Sequence, residues 1–332
     1  MNVLITGAGG FIGSYLAKLA ASAGHSVLGI DIKEPEVEAY SFNFEHCDMR
    51  DTTRVFDTIA AFRPDRIFHL AAQSYPTVSM IHPLDTMQIN AGGTINIFEG
   101  VRAAGIKPMV VVACSSAEYG IVAAEDLPVR EDHSLRPLHP YGVSKVAQDL
   151  LASQYFANYG IPTVRIRIFN TTGPGKRDDV CSDFTKRAVE IELGIRRSQM
   201  TVGNLTTRRA IIDVRDMVRG LWLAAEHGVY GDVYNVGSSS IYSGQELVDA
   251  IRPHIKVPLT LKQDPALLRT CDEPVIAGDT TRFRRCSGWQ PEIGLDQTIS
   301  DMVVWWRNHF ASAAQLNESE AGVPQEEVSA CE

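Results

Sequence analysis

Residues 3–13 read VLITGAGGFIG, a short apolar run followed by a cluster of glycines. Gly7, Gly10 and Gly13 have the spacing GxxGxxG, a variant of the dinucleotide-binding fingerprint. Glycines permit a tight turn and let the backbone approach a pyrophosphate, which the positive end of the next helix stabilises. This order of strand, turn and helix predicts a dinucleotide site at Gly7, Gly10, Phe11, Ile12 and Gly13.

A second apolar run, SVLGI at residues 26–30, ends at Asp31, about where the fingerprint expects an acidic residue. A carboxylate there accepts hydrogen bonds from both ribose hydroxyls and repels a 2′-phosphate. The sequence therefore favours NAD(H), with NADP(H) as the alternative because Lys33 can soften the preference. The other interpretation makes Asp31 a turn former.

Further apolar runs alternate with helical patterns, which is typical of a parallel sheet covered on both faces. We predict an α/β fold: a doubly wound parallel sheet (Rossmann) with a smaller α/β substrate-binding lobe. The predicted parts are a dinucleotide-binding domain at 1–170, a lobe at 171–310 that can share elements with it, and an acidic disordered tail at 311–332. The other runs of the sheet are RIFHLA (66–71), MVVVA (109–113) and TVRIRIF (163–169), and the lobe is assigned MTVG (200–203), DVYNVG (232–237) and LTLKQ (259–263).

The composition excludes several classes of partner. Among the 332 residues, 31 Lys and Arg face 40 Asp and Glu, so the formal net charge is −9 and nucleic acid is not an expected partner. The six cysteines form no CxxC pair and no metal-like spacing, which indicates reduced thiols, no metal and a cytoplasmic protein. No run approaches ~18 apolar residues, so no membrane partner is expected.

The segment HPYGVSK places Tyr141 and Lys145 four residues apart, just after Pro140. Proline suits the first turn of a helix, and residues i and i+4 lie on one helix face. A phenol titrates near 10, and a neighbouring ammonium together with a positive nicotinamide ring would lower its pKa toward neutrality. The pair is therefore a candidate acid–base couple, although YxxxK alone is a common spacing.

Taken in order, the motifs resemble the extended short-chain dehydrogenases/reductases that modify nucleotide sugars, within the NAD-dependent epimerase/dehydratase family. The resemblance covers about residues 1–310 and implies a homodimer built from helices near 93–104 and 141–158. It rests on TGAGGFIG, Asp31, CDMRD, HLAAQS, INAGGT, CSSAEYG, PYGVSK and RIFNTTGPG.

The resemblance also implies roles for single residues. Ser115 would hydrogen-bond the reacting oxygen of the sugar, Tyr141 would be the acid–base group, and Lys145 its partner. Asn90 would support the nicotinamide end of the cofactor. The remaining implied cofactor residues are Asp48 and Met49 near the adenine, and Leu70, Ala71 and Ala72 along the cofactor.

On the substrate side, VGNLTTRRAIIDVRD resembles the segment that brings an arginine to the nucleotide diphosphate in these enzymes. Arg209 matches that position, although Ala210 replaces an aspartate that is often beside it. Arg269 is a second candidate, because a planar guanidinium donates two hydrogen bonds to phosphate at once; ordinary surface charge is the alternative for both. The predicted substrate-binding set is completed by Ser116, Asn170 and Asn204.

In the 4,6-dehydratases of this family, a glutamate two residues before the tyrosine of the YG pair removes the C5 proton. Here that position is Ala117, and Glu118 follows one residue later. Neighbouring side chains of an extended segment point to opposite faces, so we expect Glu118 to turn away from the sugar and bind a backbone N–H or an arginine. A local bulge that re-aims Glu118 is the alternative.

The motifs look closest to those of GDP-4-keto-6-deoxymannose reductases and GDP-mannose 4,6-dehydratases. The favoured hypothesis is NAD(P)H-dependent reduction of the C4 keto group of a GDP-4-keto-6-deoxyhexose. The alternatives are a nucleotide-sugar 4-epimerase or a 4,6-dehydratase with tightly bound NAD. A non-catalytic dinucleotide-sensing protein is less favoured, because Ser115, Tyr141 and Lys145 are all present.

Overall fold

The computed structural model describes residues 1–35, 42–267 and 275–321, without the side chains of residues 265 and 314–321. The strands within these ranges are β1 (Asn2–Thr6), β2 (Ser26–Asp31), β3 (Asn43–His46), β4 (Arg66–His69), β5 (Met109–Ser115), β6 (Thr163–Ile168), β7 (Thr171–Thr172), β8 (Gln199–Val202), β9 (Arg208–Ala210), β10 (Ile212–Asp213), β11 (Val233–Val236), β12 (Ile241–Ser243), β13 (Thr260–Gln263) and β14 (Val275–Ile276). The helices are α1 (Phe11–Ser22), α2 (Thr52–Phe62), α3 (Pro76–Ile81), α4 (Pro83–Met87), α5 (Gly93–Ala103), α6 (Pro140–Tyr159), α7 (Val180–Glu192), α8 (Val214–His227), α9 (Gly244–Ile251), α10 (Thr281–Ser287) and α11 (Leu295–Ala321).

The large sheet has seven parallel strands in the order β11-β6-β5-β4-β1-β2-β3. This order confirms the predicted doubly wound α/β fold. In register, Thr6 of β1 lies opposite both Ile30 of β2 and His69 of β4. The carboxyl ends of the strands therefore meet at one edge, which is where ligands bind in such sheets.

Helices cover the large sheet on both faces, because its strands are apolar on both sides. Val110, Val111 and Val112 of β5 are fully buried, which a β-branched run in a parallel sheet requires. Helices α1 and α8 pack together on one face, and α2, α5 and α6 pack on the other. The tight packing holds the strand ends, and the side chains that follow them, in fixed positions.

The smaller lobe is built around α7, α9 and α11, with a core of its own. Within it β8 pairs with β13, and β9 lies between β12 and β14. The segment DVYNVG was assigned to this lobe from the sequence, but as β11 it forms the edge of the large sheet beside β6. All four residues of β11 are buried there, so the two parts of the chain share a sheet.

Two further differences concern segments without a strong sequence signal. Strand β3, with the sequence NFEH, was not predicted because it lacks an apolar run. Helix α11 continues past the predicted boundary at residue 311 to Ala321, and residues 322–332 lie outside the described ranges. Across the described residues, no helix has both the length and the apolar character needed to span a bilayer.

Candidate active site

The glycine-rich turn between β1 and α1 has a backbone that requires glycine. Gly7 has a φ of 75°, and a Cβ on it would lie 2.7 Å from the backbone nitrogen of Ala71. A Cβ on Gly13 would lie 2.0 Å from the carbonyl oxygen of Gly7. Helix α1 starts at Phe11 with Gly10 as its N-cap, which supplies no capping side chain. The exposed first N–H groups and the narrow cradle fit the pyrophosphate of a dinucleotide.

Asp31 ends β2 beside this turn. Its Oδ2 accepts a hydrogen bond of 3.0 Å from the Gly9 N–H, and its Oδ1 accepts bonds of 2.7 Å and 3.2 Å from the N–H groups of Ile32 and Lys33. A Cβ on Gly9 would lie 1.8 Å from the carbonyl oxygen of Lys33, so the two segments pack backbone to backbone. The turn-forming role is therefore present, and ribose binding stays a prediction.

The other predicted cofactor residues follow neighbouring strands of the same sheet edge. Asp48 is paired with Arg50, whose Nη2 lies 2.6 Å from Oδ2, and these hydrogen bonds lower the pKa of Asp48. Met49 is buried. Residues 70–72 follow β4 and are half-buried, and the N–H of Ala71 donates a 3.0 Å hydrogen bond to the Thr6 hydroxyl.

Behind this edge lies a group of buried, uncharged polar side chains: Thr6, His69, Thr94, Gln148 and Asn90, which we call the neutral network. His69 Nδ1 lies 2.8 Å from the Thr6 hydroxyl, and its Nε2 lies 3.0 Å from the Thr94 hydroxyl. Thr94 donates its own hydrogen to the Asn90 carbonyl at 2.7 Å. We therefore assign the proton of His69 to Nε2. Burial lowers the pKa of His69 to about 3, so the imidazole is neutral.

Asn90 lies in a π-helical turn, Gln88–Gly92, between α4 and α5. Its Nδ2 donates to the carbonyl oxygen of Gln73 at 3.0 Å and to the Ser144 hydroxyl at 2.8 Å, and its Oδ1 accepts from the Gln73 N–H at 2.8 Å. The Ser144 hydroxyl in turn donates to the Tyr141 carbonyl at 2.7 Å. One carboxamide thus joins the loop after β4 to the first turn of α6.

The three predicted catalytic residues come together at the end of β5. Pro140 occupies the first turn of α6, as predicted, and places Tyr141 against this strand end. The Ser115 hydroxyl hydrogen-bonds the Tyr141 phenol. The ammonium of Lys145 lies 5.9 Å from the centre of the Tyr141 ring and donates a 2.8 Å hydrogen bond to the carbonyl of Ala113.

The proton affinities of this cluster differ from the sequence-based expectation. Burial, together with the charge of Glu118, raises the pKa of Tyr141 to about 12, although the hydrogen bond from Ser115 opposes the change. Burial lowers the pKa of Lys145 to about 8. Lys145 is not among the groups that lower the Tyr141 pKa here, because its ammonium is bound to Ala113 and burial dominates. The expected lowering by the ammonium and a nicotinamide ring together stays a prediction. The phenol carries its proton at neutral pH.

Glu118 has the structural role favoured from the sequence, but for a different geometric reason. Residues Ser116–Glu118 form a 3₁₀ turn, not the extended segment that was expected. The turn directs the fully buried Glu118 inward, where Oε1 accepts a 2.8 Å hydrogen bond from the Ser115 N–H. Its Oε2 lies 3.1 Å from Nε of Arg167. Glu118 thus binds both a backbone N–H and an arginine.

Glu118 belongs to a buried set of charges with Asp149, Arg165 and Arg167, which we call the ionic network. Asp149 pairs with Arg165 through Oδ1, and its Oδ2 lies 3.0 Å from Nη2 of Arg167. Nη1 of Arg167 donates a 2.9 Å hydrogen bond to the Tyr119 hydroxyl. Burial, and next the charge of Asp149, raise the pKa of Glu118, whereas the Arg167 guanidinium and the Ser115 N–H favour its charged form.

Two of the predicted substrate residues lie at the same sheet edge as the catalytic cluster. Ser116 is buried directly after Ser115. Asn170 follows β6, with an exposed side chain, and its carbonyl accepts a 3.0 Å hydrogen bond from the Ile212 N–H. Both positions are compatible with contacts to a sugar or a diphosphate at the strand ends.

Asn204 and Arg209, two further predicted substrate residues, are located in the lobe. Oδ1 of Asn204 accepts hydrogen bonds from the N–H and hydroxyl of Thr206 at 2.9 Å and 2.8 Å, so this carboxamide closes a local turn. Arg209 lies in β9, and its Nη1 donates to the Arg208 carbonyl at 2.9 Å. Arg269 lies outside the described residues.

Sequence reasoning missed both buried networks, although each left a signal. In α6, Ser144 and Gln148 stand three and seven residues after Tyr141, so polar residues recur at helical spacing on a buried face. In β6, Arg165 and Arg167 alternate with apolar residues, which places both guanidinium groups on one face of a sheet that is covered on both sides. Buried polar side chains at regular spacing indicate partners.

Comparison with known proteins shows the family of the chain. Residues 4–302 match the family described as GDP-mannose 4,6 dehydratase. The chain belongs to this family. A GDP-6-deoxy-D-mannose reductase from Pseudomonas aeruginosa is 29% identical over 308 residues, covering 92% of this chain and 97% of the relative. The resemblance inferred from the ordered motifs is confirmed.

Two solved structures show the same fold around a nicotinamide dinucleotide. RMD from Pseudomonas aeruginosa, in complex with NADPH, aligns with a TM-score of 0.82 and 27% identity over 93% of this chain and 99% of its own. A UDP-glucose 4-epimerase from Thermus thermophilus, in complex with NAD, aligns with a TM-score of 0.83 and 26% identity over 92% and 99%. The cofactor class predicted from the glycine-rich turn is the one that both structures hold.

Proposed function

We propose that this member of the GDP-mannose 4,6 dehydratase family reduces the C4 keto group of a GDP-linked 4-keto-6-deoxyhexose with NADH or NADPH. The observation that carries the proposal is the end of β5, where Ser115, Tyr141 and Lys145 meet while position 117 is alanine. Glu118 turns into the interior and binds there. This arrangement supplies one proton and orients one oxygen, which reduction requires, and places no carboxylate where a dehydratase removes the C5 proton.

The cofactor, when bound, supplies the hydride. Ser115 orients the C4 carbonyl, and the Tyr141 phenol gives its proton to the C4 oxygen as negative charge develops there. We propose that the resulting phenolate is stabilised by the Ser115 hydroxyl, whose hydrogen bond lowers the Tyr141 pKa, and by Lys145 once the cofactor is bound. Because burial raises the pKa of Tyr141 to about 12, the phenol is protonated at neutral pH, the state in which a reduction begins. A 4-epimerase begins with an oxidation, in which the tyrosine must accept a proton.

The proposed binding of cofactor and substrate follows the sheet edge. The Asp31 carboxylate beside the glycine-rich turn supports a preference for NADH over NADPH. Arg209 and Arg269 are proposed for the diphosphate of the substrate. The GDP moiety is proposed from the similarity to the GDP-6-deoxy-D-mannose reductase. The other proposed substrate contacts are Ser116, Asn170 and Asn204.

We also propose a homodimer formed through α5 and α6. Val143 and Leu150, seven residues apart on α6, are 46% and 59% exposed, and Ile95 on α5 is 40% exposed. Apolar residues at this spacing form a stripe on one helix face that a second copy can cover. Sedimentation should give a dimer for the wild type and a monomer for Leu150→Arg, whereas Leu193→Arg, at an exposed leucine in the lobe, should stay dimeric.

A cytoplasmic location is proposed from the thiols. Cys47, Cys114, Cys181 and Cys286 are free in the described residues, and three of them are buried. Reduced cysteines are typical of proteins from reducing compartments. A purified native protein in which these thiols are oxidised would contradict the proposal.

The proposed reaction is tested by the absorbance of NADH or NADPH with GDP-, dTDP- and UDP-linked 4-keto-6-deoxy sugars. Rapid oxidation of the cofactor with one of them is expected. Tyr141→Phe should lower kcat about 10²- to 10⁴-fold and leave cofactor binding intact, whereas Tyr159→Phe, on the same helix, should be as active as the wild type. No oxidation with any sugar, together with NAD that co-purifies, would overturn the reductase and indicate an epimerase or a dehydratase.

A further inference from the structure

We propose that Glu118 is a positioning residue of this site: its buried carboxylate holds the Ser115 backbone, and thereby the Ser115 hydroxyl, against the Tyr141 phenol. The inference rests on the proposed reduction. Glu118 itself does not face the sugar. It acts through Ser115 and through its negative charge, which acts on the Tyr141 phenol.

The hydrogen bonds at the end of β5 support the positioning role. Ser115 is the N-cap of the 3₁₀ turn, and its hydroxyl accepts a 3.2 Å hydrogen bond from the Ala117 N–H. Glu118 completes a capping box, because its Oε1 accepts from the Ser115 N–H at 2.8 Å. Both the backbone and the side chain of Ser115 are therefore held by the turn that Glu118 closes.

The second carboxylate oxygen fixes the orientation of Glu118. Arg167 Nε donates to Oε2 at 3.1 Å, and the guanidinium is held in turn by Asp149 and Tyr119. A buried carboxylate with one donor on each oxygen has a single low-energy orientation, because rotation would leave a charge without a partner. The position of Ser115 is therefore set from inside the protein.

The charge of Glu118 also acts on the two other catalytic residues. It raises the pKa of Tyr141 and the pKa of Lys145, whereas the charge of Asp149 is not among the causes for either group. Glu190 of α7 is a buried glutamate that pairs with Arg196 at 2.8 Å and belongs to neither network, so it provides a matched comparison for Glu118. The charged and titratable groups that face Glu118 are Cys114 from β5, Tyr141, Lys145 and Asp149 from α6, and Arg167 from β6.

Three variants separate the effect of the length of the Glu118 side chain from the effect of its charge. Glu118→Asp keeps the charge but shortens the side chain, so it should lower kcat about 10- to 100-fold while KM for the cofactor is unchanged. Glu118→Gln removes the charge and should also lower the pKa of Tyr141 by about one pH unit. Glu190→Gln, at a buried glutamate of α7 outside both networks, is the control, which should leave kcat and the Tyr141 ionisation near wild type even if it lowers stability.

Tyr141 ionisation is read without turnover, from phenolate absorbance of the NAD-loaded protein at pH 10 minus that of the same variant carrying Tyr141→Phe. The ionised fraction should be about tenfold larger in Glu118→Gln than in wild type or Glu118→Asp. If the reductase proposal fails, the wild type shows no turnover, while the ionised fraction of Tyr141 is still about tenfold larger in Glu118→Gln than in the wild type. Wild-type kcat in Glu118→Asp, or equal Tyr141 ionisation in Glu118→Gln and Glu190→Gln, would overturn the role of Glu118. If Glu118→Gln does not fold, Glu118→Asp still decides the positioning role.

Discussion

The neutral network and the ionic network lie on either side of the same stretch of α6, and they hold the active site in different ways. Gln148 and Asp149 are adjacent in the chain, yet the first binds Thr94 beside His69 and the second binds Arg165 and Arg167. One network contains no charge, and the other contains four. The two networks should therefore differ in what their disruption costs, because a buried charge without a partner is costlier than a buried neutral group without one.

The largest expected difference between the networks appears when one arginine is removed. Arg167→Met leaves the buried Glu118 carboxylate without its guanidinium partner and should lower the free energy of unfolding by about 3–5 kcal/mol. Urea denaturation measures this. The double variant Glu118→Leu/Arg167→Met should recover part of the loss, since it removes both charges. A loss below about 1 kcal/mol in Arg167→Met would show that the ionic network does not hold the fold.

A smaller loss is expected in the neutral network. Thr94→Val leaves His69 Nε2–H and the Gln148 amide without their shared acceptor, which should cost about 2–3 kcal/mol. Thr94→Ser keeps the hydroxyl and is the matched control, with an expected loss of about 1 kcal/mol. If the two variants unfold at the same urea concentration, the hydroxyl of Thr94 is not the centre of this network.

The neutral network should also be visible in the pH dependence of stability. His69 has a pKa of about 3 in the folded protein and about 6.5 when unfolded. The unfolded chain therefore takes up the proton first as the pH falls, so stability is full above pH 6.5 and is lost toward pH 3. At pH 5 the loss is about 2 kcal/mol.

His69→Gln removes this contribution, so the difference in unfolding free energy between pH 7 and pH 5 should shrink by about 2 kcal/mol. His82→Gln, at an exposed histidine, controls for the loss of an imidazole. An unchanged pH dependence in His69→Gln would mean that His69 is not buried in its neutral form.

The smallest effect on stability is expected for an ion pair at the protein surface. Nη2 of Arg54 lies 3.1 Å from Oε2 of Glu45, and the two side chains are 49% and 39% exposed. Arg54→Ala should cost less than about 1 kcal/mol, and the loss should shrink further in high salt. A loss comparable with that of Arg167→Met would show that burial is not what makes the ionic network strong.

The sequence predicted most of the large sheet because its strands are continuous apolar runs between helical patterns. It also predicted that Ser115, Tyr141 and Lys145 belong together, since motif spacing and resemblance carry that information. Strand β11 was predicted as a strand of the lobe, which could share elements with the first domain, but its pairing with β6 was not predicted, because a short apolar strand does not indicate its neighbour in the sheet.

The networks could not be predicted from spacing alone. Glu118 meets Arg167 across 49 residues of chain, and His69 meets Gln148 across 79. Such pairs depend on the three-dimensional packing of α6 on the sheet, which local patterns do not encode. The raised pKa of Tyr141 could not be predicted for the same reason, because the burial that raises it is a property of the whole fold.

The π-helical turn Gln88–Gly92 has a consequence for protein engineering. A π turn holds one residue more than an α-helical turn of the same span, so deleting a single residue there would let α4 and α5 join as one regular helix. The helices on either side would keep their orientation, whereas the residues of the turn itself, which include Asn90, would be displaced. The Asn90 carboxamide would lose its alignment with Ser144 even though every amino acid that touches it is still encoded. At this point the length of the chain, as much as its chemistry, is under constraint.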